Sequence, residues 1–212
     1  MKEFISNKPI IYQSRLGYNY SFIFAHEKKC FNEDIVSIVK TWMTTYFYHV
    51  VGYAIAYVVL IFSARRYMEN RPKFELRRQL IAWNFLLSIF SAFGAIRVWP
   101  EFIYVIRLKG IEFSFCNHDW AYGVQACWCS LFIYSKVAEL IDTVFIVARK
   151  QKLIFLHWYH HFTVLLYVWY SSMEIDTAAS GIWFMVMNYT VHSFMYVYYI
   201  YVSEKKYCNL LN

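Results

Sequence analysis

The sequence is short of charge, glycine and proline. Only 17% of its 212 residues are Asp, Glu, Lys or Arg, against about 25% in ordinary soluble domains. Six glycines and three prolines exclude a collagen-like chain and a flexible linker. The five cysteines (30, 116, 127, 129 and 208) make no repeated Cys-x-x-Cys and no zinc spacing. Cys127 and Cys129 lie in a hydrophobic run, where free cysteine behaves as a small apolar residue, while Cys116, in a connecting loop, is available for a disulfide. No early apolar stretch interrupts the polar first 40 residues, so no cleavable signal peptide is expected.

What is present is apolar and aromatic. Hydrophobic residues make up 59%, with 20 Tyr, 19 Phe and 8 Trp. That composition excludes disorder and exceeds what a soluble globule of this size can bury. The net charge of +7 suggests a nucleic-acid partner at first sight. The basic residues, however, sit in clusters between hydrophobic runs, the pattern of juxtamembrane segments, and no nucleic acid is expected.

Thr41 to Ala64, Gln79 to Ile96, Leu153 to Met173 and Thr177 to Ser203 contain no Asp, Glu, Lys or Arg. A fifth run begins at Trp120 and ends at Arg149, interrupted by Lys136, Glu139 and Asp142. A helix needs about 20 apolar residues to cross a bilayer. Five spans are therefore predicted near 41–64, 78–97, 120–148, 153–173 and 178–203, forming one all-α transmembrane bundle. Residues 1–40 read as a polar N-terminal tail, 204–212 as a short cytosolic end, and Phe102 to Ile106 as an interfacial patch. Arg and Lys concentrate after the first, third and fifth spans, and Glu174 and Asp176 follow the fourth. The positive-inside rule then puts those basic loops in the cytosol and the N-terminus in the lumen.

Ionisable groups in a span cost about 2.5–3.5 kcal/mol each on insertion scales and call for a reason. Here they crowd the last three spans. Lys136, Glu139 and Thr143 share one helix face with Asp142 at its margin; His157, His160 and His161 share another; Asn188 and His192 stand at i, i+4, followed by Tyr196. Counting helix rise from the basic ends places His160 about 12 Å, Asp142 about 10 Å and His192 about 20 Å deep. One buried site opening to the cytosol is inferred. Neutral imidazole suits proton transfer and acyl transfer, and Glu139 and Asp142 could orient the rings through their second N–H. The cytosolic basic clusters could hold a phosphorylated carrier. Other readings stay open. Lys136 and Glu139 could be an ion pair that eases insertion, the basic loops could serve topology alone, and a one-zinc site could use the histidines. Di-iron chemistry is disfavoured, because such membrane enzymes use about twice as many histidines in several boxes.

The ordered motifs Lys136-x-x-Glu139-x-x-Asp142-Thr143, His157-x-x-His160-His161 and His192-x-x-Met195-Tyr196 resemble the signature of the ELO family. These are the fatty-acid elongases of the endoplasmic reticulum, or very-long-chain 3-oxoacyl-CoA synthases. The stretches Lys73 to Arg77, Arg149 to His161 and Trp183 to Tyr189 look like the branch acting on saturated and monounsaturated long-chain acyl-CoAs. The resemblance implies a seven-span bundle enclosing an acyl tunnel in the endoplasmic reticulum membrane. It implies condensation of acyl-CoA with malonyl-CoA to 3-oxoacyl-CoA, CO₂ and CoA, through an acylated histidine. His160 matches the nucleophile and His192 the residue managing decarboxylation. His157, His161, Glu139, Asp142 and Asn188 would orient and polarise the site, and Tyr196 would line the substrate. Lys136, Arg149, Lys150 and Lys152 would meet the CoA phosphates. No metal or redox cofactor is implied. The partners implied are the bilayer and the reductases and dehydratase of the cycle; a second copy of the chain is kept as a candidate.

Five predicted spans against seven suggest a C-terminally truncated form, itself expected to be inactive or poorly stable. The alternative is a non-catalytic elongase-like protein that binds lipid or pairs with a complete elongase.

Overall fold

The computed structural model describes residues 12–117, 122–173 and 178–211. The architecture is all-helical, as expected: α1 (Ala25–Lys28), a 3-10 turn (Lys29–Phe31), α2 (Glu33–Thr45), α3 (Phe47–Met68), α4 (Arg77–Lys109), α5 (Ile111–Cys116), α6 (Gly123–Ala148), α7 (Phe155–Met173) and α8 (Ala178–Leu211). Helix α6 is the hub, touching α3, α4, α7 and α8, while α4 and α8 form the most extensive helix pair. The outside is apolar. Tyr48, Leu60, Ile96, Leu156 and Phe194 are among many large hydrophobic side chains left exposed. Such a surface suits lipid as solvent, and helices satisfy their own backbone there. Helices α3 and α4 are each long and apolar enough to cross a membrane.

Three expectations need adjustment. The run at 41–64 is not one helix. Its first residues end α2, and α3 starts at Phe47. Thr41, Thr44 and Thr45 each bond a carbonyl four residues back, at 2.8–3.0 Å, and such back-bonding bends helices. The stretch read as a polar tail carries α1, the 3-10 turn and the start of α2, and within it Glu27 is fully buried and paired with Arg97 of α4 at 2.7 Å. Phe102 to Ile106 is an interior part of α4, which continues through Pro100, and Phe102 and Val105 are buried.

The basic ends lie together. The Phe74 N–H bonds Ala148 O at 3.0 Å, and Arg77 pairs with Glu204 at 3.4 Å, tying the start of α4 to the end of α8. At the other end Gly110, with φ of 88°, turns α4 into α5 in a conformation that favours glycine.

Close approach of α4 and α8 depends on Gly94. A Cβ there would meet the Tyr189 ring at 2.6–2.7 Å, and the Tyr189 hydroxyl donates to Trp128 O at 3.0 Å. Gly94→Ala should overpack this contact and cost about 1–3 kcal/mol. Thermal unfolding in detergent measures it; an unchanged midpoint would show that the two helices can slide apart freely.

Candidate active site

Helix α6 presents its polar face to two different neighbours. Toward α8, Lys136 Nζ donates to Glu139 Oε1 at 2.6 Å and to Asn188 Oδ1 at 2.8 Å. Ser135 Oγ reaches the same Glu139 oxygen at 3.3 Å. His192 Nδ1 lies 3.7 Å from it, within ion-pair range but beyond a hydrogen bond. That nitrogen is buried and has no hydrogen-bond partner. Lys136 and Glu139 are themselves almost fully buried. Toward α7, Thr143 Oγ1 meets His157 Nε2 at 3.0 Å and the Tyr57 hydroxyl of α3 at 2.7 Å. The His157 and His161 rings lie 4.6 Å apart, and those of His160 and His161 5.8 Å. His161 is buried while His160 is exposed on the α7 surface.

Asp142 departs from its expected part. Trp83 Nε1 of α4 donates to one of its oxygens at 2.6 Å, and the Tyr196 hydroxyl of α8 donates to the other at 3.0 Å. It braces α4, α6 and α8 rather than orienting an imidazole. The reason is its place at the margin of the α6 polar face, turned toward α4. Tyr196 is buried beside His192, with ring centroids 5.4 Å apart.

Lys136 is separated from the basic residues with which it was grouped. Thirteen steps along the helix, about 20 Å, separate it from Arg149, and its ammonium is enclosed by Glu139 and Asn188. Arg149 caps α6, half-buried. Lys150, with φ of 53°, donates to the carbonyls of Glu69 and Arg71 at 3.0 and 3.1 Å, fastening the end of α3. Lys150 and Lys152 nevertheless line a pocket of about 320 Å³ with Arg65 and Glu69. Among the described residues no group of three or more His, Cys, Asp or Glu is disposed to hold a metal ion.

Tyr57, Trp83 and Ser135 were not foreseen as site residues. Ser135 sits directly beside Lys136, and its spacing to Glu139 was a usable signal. Tyr57 and Trp83 carried none, being single aromatics in runs full of them.

Comparison with known proteins adds a coherent finding. Residues 42–211 match the family described as ELO: GNS1/SUR4 family. The chain is 48% identical over 183 residues to a very long chain fatty acid elongase 6 of Drosophila melanogaster, covering 85% of this chain and 56% of that protein. Against the very long chain fatty acid elongase 6 of Homo sapiens it is 46% identical over 169 residues, covering 79% and 61%. Against the long chain fatty acid elongase 1 of Caenorhabditis elegans it is 42% identical over 153 residues, covering 72% and 52%. The chain thus spans between half and two thirds of the length of these relatives.

Proposed function

This chain belongs to the ELO (GNS1/SUR4) family, and from that we propose that it is the condensing enzyme of a fatty-acid elongation cycle, joining acyl-CoA to malonyl-CoA. A role in fatty-acid elongation follows from its relatives; the reaction and the residue roles are our reading. We place the protein in the endoplasmic reticulum membrane with five spans in this chain, its N-terminus in the lumen and its basic end in the cytosol. The reductases and dehydratase of the cycle act on its product. Long-chain saturated and monounsaturated acyl-CoAs are the proposed substrates, on the resemblance of the Lys73 to Arg77, Arg149 to His161 and Trp183 to Tyr189 stretches.

The observation that carries the reading is the His192 Nδ1 atom, buried and unpartnered, facing a Lys136–Glu139 pair. A buried polar atom left unsatisfied calls for an explanation, and charge developing on a substrate supplies one. In the first half-reaction an imidazole nitrogen of His160 attacks the thioester carbonyl. The C–S bond breaks, the CoA sulfur takes a proton, and an acyl-imidazole remains. In the second, malonyl-CoA loses CO₂, and its enolate carbon attacks the acyl carbon. The C–N bond breaks and the departing imidazole nitrogen takes a proton from water, giving 3-oxoacyl-CoA and free neutral His160. His192 stabilises the enolate oxygen. Glu139 holds Lys136 and faces His192 across 3.7 Å, and the Tyr57–Thr143–His157 chain fixes the α7 face that carries the nucleophile. The Arg65, Lys150 and Lys152 pocket at the basic end suits CoA phosphates.

Microsomes containing the protein, given palmitoyl-CoA and labelled malonyl-CoA, should release CO₂ and 3-oxoacyl-CoA in equal amounts, and that result would set aside the expectation that a five-span form is inactive. Given palmitoyl-CoA alone, they should yield an acyl adduct mapped to His160 by mass spectrometry. His160→Ala should abolish both without lowering protein level. An unchanged lipid profile in that variant would favour the non-catalytic alternative.

A further inference from the structure

Two cysteines from distant parts of the chain meet at the end of the bundle opposite the basic loops. Cys30 lies in the 3-10 turn Lys29–Phe31, and Cys127 lies one turn into α6. The turn that carries Cys30 packs against α6, and the two thiols are close enough to perturb one another's ionisation. The contact is framed on both sides. Before Cys30, the Glu27 carboxylate accepts the indole N–H of Trp128 at 2.7 Å. After it, the Phe31 carbonyl accepts the Tyr122 hydroxyl. The Phe31 ring comes within 2.8 Å of where a Cβ on Gly123 would stand, and Gly123 has φ of 57°. Residues flanking one cysteine are thus fastened to residues flanking the other. Cys127 is buried and Cys30 half-buried. The Cys30 thiol is held below its ordinary pKa because it accepts a hydrogen bond from Cys127, which outweighs burial and the nearby Glu27 charge. A lowered thiol is the better attacking group.

We propose that Cys30 and Cys127 form a redox-sensitive pair that closes into a disulfide, locking the N-terminal segment onto α6. The oxidant is a protein or glutathione disulfide of the lumen, an oxidising compartment. The half-exposed Cys30 thiolate attacks one oxidant sulfur, breaking its S–S bond and releasing the first thiol. The Cys127 thiolate then attacks Cys30 Sγ, expelling the second thiol. Each protein thiol gives its proton to an oxidant sulfur, so one disulfide is exchanged for another. Cys116 and Cys129 are thiols as well, but the contact with Cys127 belongs to Cys30.

The pairing uses the orientation proposed above but not the condensation chemistry, so its failure would leave the elongase reading standing. Membranes are acid-quenched, denatured, alkylated and digested without reductant. The expected result is a joined pair of peptides carrying Cys30 and Cys127, two hydrogen masses lighter than their sum, separated by dithiothreitol. In Cys30→Ser, Cys127 should become alkylatable. Recovery of both residues fully alkylated from the unreduced protein, even after incubation with glutathione disulfide, would overturn the proposal.

Discussion

Lys136→Met combined with Glu139→Leu should leave the protein folded and nearly inactive, whereas Glu139→Leu alone should cripple both properties. The logic lies in burial. Lys136 and Glu139 have side chains only 3% and 6% exposed and meet at 2.6 Å. Removing one partner strands the other charge in a low-dielectric interior, at a cost of about 3–5 kcal/mol. Replacing both by apolar groups of similar size is often neutral or stabilising by about 1–4 kcal/mol. Thermal unfolding in detergent should therefore show non-additivity, with the double variant more stable than Glu139→Leu. Activity should not recover with it. His192 would face hydrocarbon instead of a carboxylate, and loss of a positioned acid–base partner costs about 10²–10⁴-fold. A double variant that condenses at the parent rate would reduce the pair to an insertion aid.

The second large effect lies at the opposite end. Arg97→Ala should destabilise the protein by about 3–5 kcal/mol and expose residues 12–33 to protease. Glu27 is fully buried. It receives Arg97 Nε at 2.8 Å and a terminal Arg97 nitrogen at 2.7 Å, together with Trp128 Nε1 at 2.7 Å and the Phe24 N–H at 2.9 Å. Burial alone would raise the Glu27 pKa, but the Arg97 hydrogen bonds, joined by those of Trp128 and Phe24, outweigh it and hold the carboxyl below its ordinary value of 4.5. A depressed native pKa contributes stability that is present above the unfolded value and lost as pH falls through the native one. The parent should therefore lose protection of this segment in acid. In Arg97→Ala burial dominates, the native pKa rises, and acid should restore part of the lost stability. Proteolysis followed from pH 7 to well below the ordinary carboxyl value of 4.5 reads both slopes, and parallel slopes would show that the pair contributes nothing.

Much of the polar cluster was legible because helices repeat. A spacing of three or four residues puts Lys136, Glu139 and Thr143 on one face whatever the rest of the chain does. The histidines of α7 and the Asn188–His192 step of α8 follow the same rule. Asp142 shows where that reasoning stops. At the margin of its face it could turn toward α7 or α4, and only the neighbouring Trp83 and Tyr196 decided between them. The N-terminal segment shows the same limit more strongly. Its Tyr and Phe residues have no helical or strand period. Its order comes from Arg97 and Trp128, seventy and a hundred residues away in the chain.

Sequence by itself determined that this chain is helical with long apolar runs, and which residues share the polar faces of α6, α7 and α8. Those features follow from composition and local periodicity, which each segment possesses alone. Tertiary structure decided which polar groups pair. It turned Asp142 into a brace, left His192 Nδ1 unpartnered, placed Tyr57 behind Thr143, and brought Cys30 against Cys127. Each of these is a contact between segments distant in the chain, and such contacts exist only once close packing has selected one arrangement of the helices.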